Sequence, residues 1–244
     1  MQMALLLADL LGEIPWRLLD AAWDAWLGHR RGERKLARLE ELGALIVASA
    51  TDGLERRVRL TEAGRLGALG GRDPEHCWRR PWDGQWRVVL FDVAEKDRTQ
   101  RIRLQRQLRK AHFGYLQDSV WITPDAIDEL GARVCAGGND LATLSFLEAR
   151  PCAGSTDAEL VAGAWDFTAI NHRYAEHAKM LRAAPSPRAS ARQQCEWFRR
   201  EWRAWQRALD GDPLLPKVLL PAGYRGRKAW DTRRERLGRI IAAG

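Results

Sequence analysis

Apolar and polar positions organise the centre of the chain most clearly. Trp86-Arg87-Val88-Val89-Leu90-Phe91-Asp92-Val93 is a β-branched and aromatic run of buried-strand type. After the polar turn Ala94-Glu95-Lys96-Asp97 comes an Arg-rich segment of helical period. Leu104, Leu108 and Ala111 share one face of it, and Arg103, Arg106 and Lys110 share another. Phe113 to Gln117 and Ser119 to Ile122 read as two short strands. Thr123-Pro124 then reads as a helix start, with Thr as N-cap and Pro at the first helical position, and Gly131 as the stop after Leu130. Leu141 to Leu147 supplies a fourth strand. The order β-α-β-β-α-β is that of a ferredoxin-like split βαβ unit.

Before this core, Leu5 to Leu11 reads as a short apolar helix. Pro15 opens a second, on which Trp16, Leu19, Trp23 and Trp26 form one core-facing stripe. A third helix covers about 32–42, with Leu36 and Leu39 inward, and runs into the strand Gly43 to Val47. Asp52-Gly53 signals a hairpin whose returning strand is Glu55 to Leu60, and Thr61 caps a further helix. Three helices followed by a β-hairpin is the winged helix-turn-helix order. After the core, helices are expected over Asp157 to Gly163 and Ala169 to Leu181. Cys195, Phe198, Trp202, Trp205 and Leu209 recur at three, four, three and four as the clearest amphipathic stripe. Pro213 and Pro216 end that helix, and Trp230, Leu237 and Ile240 line a last one. The expected class is α+β, divided into a winged-helix domain (1–69), a linker (70–85), a ferredoxin-like βαββαβ domain (86–149) and a helical C-terminal domain (150–244).

Composition narrows the function. No stretch approaches the roughly 20 apolar residues needed to cross a bilayer, and the Ala4 to Leu7 run lacks a basic flank and is broken by Asp9. Cys77, Cys135, Cys152 and Cys195 show no C-x-x-C spacing, so reduced thiols in a cytoplasmic protein, and no zinc site, are expected. The net charge of +8 favours a polyanionic partner. Its placement matters more: Arg30, Arg31, Arg34, Lys35 and Arg38 sit at the start of the third helix and along its exposed side, and Arg56, Arg57 and Arg59 on the returning strand. A solvated helix face is the commonest fate of such a run. One-signed charge at a recognition helix and at a wing is also what a double-stranded DNA operator requires, because Arg reads guanine bidentately.

The words WDGQWRVVLFDVAEKDR, FGYLQDSVWITP and DPLLPKVLLP resemble the PaaX family of bacterial transcriptional repressors across about residues 32–230. Ala94 stands where that pattern carries Pro. The resemblance implies a winged-helix domain, a ferredoxin-like domain similar to the small CRISPR-adaptation nuclease fold, a helical C-terminal domain, a homodimer, and release from DNA by an aryl-acetyl coenzyme A thioester. In those nucleases the strand-end carboxylate corresponding to Asp92 pairs across a dimer around a divalent metal. This gives a rival reading as a metal-dependent nuclease; an effector-independent nucleic-acid adaptor is a second rival. Asp92 is also easily explained as a cap for the Arg-rich helix or as a partner for Arg98 or Arg101. No catalytic motif, P-loop or G-x-G-x-x-G occurs, His172 and His177 do not share a helix face, and no enzyme activity and no cofactor are expected. An acyl-coenzyme A effector needs cations for its phosphates and an apolar slot for its acyl end. Arg103, Arg106 and Lys110 are candidates for the first, and Trp202, with Trp197 and Trp205, for the second. The simpler alternative is that these tryptophans are core and the arginines solvated.

Overall fold

The computed structural model describes residues 13–15, 34, 37–48, 57–69, 71–92, 98–128, 144–186 and 189–242. It is a mixed helix-and-sheet protein of two compact units, neither continuous in sequence. One contains Met1–Pro74, Arg173–Arg207 and Arg225–Gly244, the other Glu75–His172 and Ala208–Tyr224.

The second unit is built on β4 (Trp86–Phe91), α3 (Arg98–Lys110), β5 (Gly114–Gln117), β6 (Val120–Thr123) and β7 (Leu144–Ala149). Strand order is β5-β6-β4-β7, antiparallel throughout, as the split βαβ pattern requires. Period-two alternation along β4 divides its side chains between two cores. Val89 and Phe91 face α3 and pack with Leu104, Leu108, Phe113, Trp121 and Leu144. Trp86 and Val88 face the other way and pack with Ile122, Val161, Ala164, Leu215 and Leu219.

That second face is covered by α4 (Asp157–Ala164) and by the DPLLPKVLLP segment, so residues on both sides of the helical region belong to the sheet's unit. A capping box starts α4: Thr156 accepts from the Glu159 amide, and Glu159 accepts from the Thr156 amide. The Trp86 indole donates to Asp157 in the first turn of α4 (2.7 Å). Gly114 lets β5 approach closely, since a Cβ there would lie 2.6 Å from that of Ala164 and 2.7 Å from the Trp165 ring. Leu214 sits in the left-handed region (φ 50°) and is fully buried. Asp212 accepts from its amide (2.8 Å) and Arg80 donates to its carbonyl (2.5 Å), which holds a conformation unusual for leucine. Arg80 also clasps Asp125 through Nε (2.6 Å) and Nη2 (3.0 Å). The segment expected to link domains contains α2 (Pro74–Arg79), on which Trp78 is buried and donates to the Tyr224 hydroxyl.

The expected helix start at Thr123-Pro124 is corrected. Thr123 is the last residue of β6, buried and paired with Arg87 of β4, and its hydroxyl accepts from the Asp125 amide (3.3 Å). Thr-Pro carries the same local signal at a strand end as at a helix cap, and here a non-local strand partner decides. Pro124 to Ile127 are not helical and Asp128 is, while 129–131 lie outside the described residues, as do 141–143 of the last strand, which continues to Ala149 rather than stopping at Leu147.

In the first unit, β1 (Glu13–Pro15), β2 (Leu45–Ala48) and β3 (Arg57–Leu60) form an antiparallel sheet in the order β1-β3-β2. β1 is too short for a periodic signal, and Pro15, expected to open the second helix, is instead its last residue, paired with Arg57 of β3. Residues 37–41 are helical, and Leu39 is its buried anchor. In α1 (Glu62–Leu69) the Thr61 hydroxyl accepts from the Gly64 amide (3.0 Å) and donates to the Gly43 carbonyl (2.6 Å). Gly64 is required there, because a Cβ would meet the Ala44 carbonyl oxygen at 2.0 Å. The helices Leu5–Leu11 and that of the Trp16 stripe, and the Asp52-Gly53 turn, lie outside the described residues. The same unit holds residues of α5 (Phe167–Arg182), α6 (Ala191–Asp210) and α7 (Gly226–Ala242), which pack through Leu181, Trp197, Phe198 and Leu237.

Candidate functional site

Three of the expected DNA-contacting cations can be placed with their side chains. Arg34 lies exposed on a helical residue. Arg38 is exposed one helical turn on and pairs with Glu41 at 3.0 Å; both partners are about two-thirds exposed, so this pair holds Arg38 only weakly. Arg59 is exposed at the centre of the small sheet, with Glu13 of β1 and Ile46 of β2 as its register partners. Arg57 occupies the first position of β3, opposite Pro15 and Ala48. Arg30, Arg31, Lys35 and Arg56 lie outside the described residues. What fixes the placed cations is local: Leu39 seats the helix, and Thr61 and Gly64 lock α1 against the turn leading into β2.

Asp92 is exposed immediately after β4. Among the described residues no three His, Cys, Asp or Glu side chains come together as a metal site. Next to β4, Asp83 accepts two hydrogen bonds from Arg87, and these hold its carboxyl down to about 2. That pair staples the strand entrance.

Arg103, Arg106 and Lys110 lie together on the exposed side of α3, opposite the buried Leu104 and Leu108. On this face α3 itself contributes cations with Thr99 and Ile102, and no aromatic residue. Of the three tryptophans expected to line the apolar slot, Trp205 is fully buried, stacked on Trp230 with ring centroids 5.5 Å apart. Trp202 is half-buried, and Trp197 is buried beside Phe198.

Trp197 and Phe198 instead line a cavity of about 280 Å³, with Ala184, Pro185, Ser186 and Gln194 on one side and Arg236, Arg239 and Ile240 of α7 on the other. Arg239 is paired with Glu235, one turn back on the same helix. An apolar aromatic wall with two guanidinium groups suits a ligand with an aromatic end and an anionic end. The volume takes one ring and a short linker, not a whole nucleotide-bearing thioester. Arg236 and Arg239 carry no periodic signal, which is why the sequence pattern does not reach them.

Beneath the same helices lies a buried ionic cluster. Glu201 accepts from Arg233 Nε (2.6 Å) and Nη2 (3.2 Å) and lies 2.8 Å from His177 Nε2; all three are essentially inaccessible. Burial pushes the Glu201 carboxyl up, but the Arg233 charge and hydrogen bonds, with His177, outweigh it and hold the group below its ordinary value. The Arg233 guanidinium also lies 5.0 Å from the Trp205 ring centroid. A signal for Glu201 exists in the sequence: it falls four residues after Trp197 and four before Trp205, on the buried stripe itself.

Residues 79–161 match the PaaX protein central Cas2-like domain and residues 165–243 the PaaX-like protein C-terminal domain. Among solved structures the chain is similar to Uncharacterized protein Rv0674 from Mycobacterium tuberculosis. The two are 22% identical over 100% of this chain and 97% of that one, with a TM-score of 0.60, an agreement of fold. No curated protein matches the chain.

Proposed function

The chain belongs to the PaaX family of transcriptional regulators, and on that premise we propose that it is a cytoplasmic, homodimeric repressor of a catabolic operon. In this reading residues 1–69 form a winged helix-turn-helix that binds a double-stranded operator. The ferredoxin-like domain pairs or spaces the two heads, and the C-terminal helices sense an aryl-acyl-coenzyme A effector. The observation that carries the DNA reading is the sheet order β1-β3-β2, with exposed Arg34 and Arg38 on the preceding helix and Arg59 on the central strand. A wing and a recognition helix need cations at those two places. For the effector, the cavity between Trp197, Phe198, Arg236 and Arg239 supplies an aromatic wall and cations together, which the cation face of α3 alone does not.

Operator binding by Arg34→Ala and Arg59→Ala variants tests the reading. Removing a side chain that bonds a base weakens binding by about 1–3 kcal/mol at the cognate site and relaxes specificity there. Unchanged affinity for every duplex, in folded variants, refutes this placement of the interface.

A further inference from the structure

The exposed side of α3 has a charge pattern that its own stability does not explain. Arg98, Arg103, Arg106, Arg109 and Lys110 are all exposed, and on a helix they fall within an arc of about 140° along about 20 Å. Only Thr99 and Ile102 share that face. The thirteen-residue helix contains no carboxylate, and among the described residues none of these five cations has an acidic partner. Arg103 and Arg106, Arg106 and Arg109, and Arg106 and Lys110 are like-charge neighbours at i,i+3 or i,i+4, each of which destabilises a helix. Arg98 sits at the positive end of the helix dipole, where an acid is favoured. The dipole accounts for Arg109 and Lys110 alone, and Arg109 also lies over the Trp121 ring (5.4 Å). α6 and α7 differ in carrying carboxylates of their own, Glu196 paired with Arg192 and Glu235 with Arg239, although Arg199, Arg200 and Arg203 of α6 are also exposed with no ion pair among the described residues.

A bound polyanion offsets such repulsion. We propose that the outer face of α3 is a second nucleic-acid surface, which holds the sugar-phosphate backbone of duplex DNA without reading its sequence. Evenly spread cations without an acidic partner among the described residues suit a regular row of phosphates. This inference rests on the chain being a DNA-binding protein. It adds contacts outside the N-terminal head, with salt-dependent affinity and no sequence preference.

The experiment measures full-chain affinity for a random-sequence duplex between about 0.05 and 0.2 M salt. Replacing Arg103, Arg106 and Lys110 with Gln is expected to flatten the slope of log K against log salt by about 0.9 for each phosphate no longer neutralised, so by about 2.7 in all. The same variant keeps the fold, because the repulsion is removed as well. A matched variant, with Gln at the exposed α6 residues Arg199, Arg200 and Arg203, loses equal charge and is expected to leave the slope within a fraction of a unit. An unchanged slope in the α3 variant, or an equal flattening in the α6 variant, overturns the inference. If Arg34→Gln with Arg59→Gln flattens the slope while the α3 variant does not, the DNA-binding reading stands and the α3 surface falls. Absence of wild-type binding at the lowest salt overturns both.

Discussion

Replacing Glu201 with Leu strands the Arg233 guanidinium, which is 2% exposed, without its counter-charge. Both Arg233 nitrogens that now bond the carboxylate, at 2.6 and 3.2 Å, lose their acceptor, and so does His177 Nε2. His177 Nδ1, Trp205 Nε1 and Trp230 Nε1 already have no hydrogen-bond partner among the described residues, so the site has little capacity to re-satisfy itself. Breaking a buried pair by removing one member costs about 3–5 kcal/mol, a large share of the stability of a small domain. Removing both charges is a different perturbation. Arg233→Met together with Glu201→Leu removes both charges and leaves only His177 Nε2 without its acceptor, so the double variant is expected to lose about 1–3 kcal/mol, less than Glu201→Leu alone. Urea unfolding of the full chain, followed by tryptophan fluorescence and far-ultraviolet circular dichroism, gives the differences for Glu201→Leu, Arg233→Met and the double variant when the two probes coincide. The pH dependence is a second readout. The folded carboxyl is held below its unfolded value of about 4.3, so its contribution is complete above that value and is lost as pH falls through the folded one. Wild type therefore loses stability below about pH 4 by an amount the double variant lacks. A single-variant loss under about 1 kcal/mol, or a double variant destabilised by the sum of the singles, refutes the coupling.

Gly114→Ala forces a methyl to within 2.6 Å of Ala164 Cβ and 2.7 Å of the Trp165 ring, and is expected to cost about 1–3 kcal/mol through overpacking, measured as a shift in the urea midpoint. Operator binding titrated with an aryl-acyl thioester at fixed salt should weaken at least tenfold more than with free coenzyme A or the free acid. Trp197→Ala, at the cavity wall, should abolish that difference. Equal effects from all coenzyme A derivatives would mean competition by a polyanion.

Much of the central fold is legible in the sequence because its signals are local. Val88 to Phe91 reads as a strand by its β-branched and aromatic residues, and Leu104 and Leu108 mark the inner face of α3 by period alone. What escapes is set by distant partners. Thr123 ends a strand because β4 lies beside it, and the DPLLPKVLLP segment, legible as a helix stop, gives no local sign that Leu215 and Leu219 cover the sheet. The ionic cluster joins residues 24 and 32 positions apart, so only Glu201's place on the tryptophan stripe hints at it. For the residues expected to contact DNA, the exposure of Arg34, Arg38 and Arg59 follows from the pattern. The cavity does not, since Arg236 and Arg239 reach it from another helix.

The central claim is sequence-specific recognition of duplex DNA by a two-headed repressor. Selection of bound duplexes from a random-sequence pool by the full chain, repeated at rising salt, tests it most directly. The account predicts enrichment of one sequence with two-fold related half-sites, which sharpens as salt removes backbone-only binding. A pool that stays random at every salt concentration, from a folded protein, contradicts it.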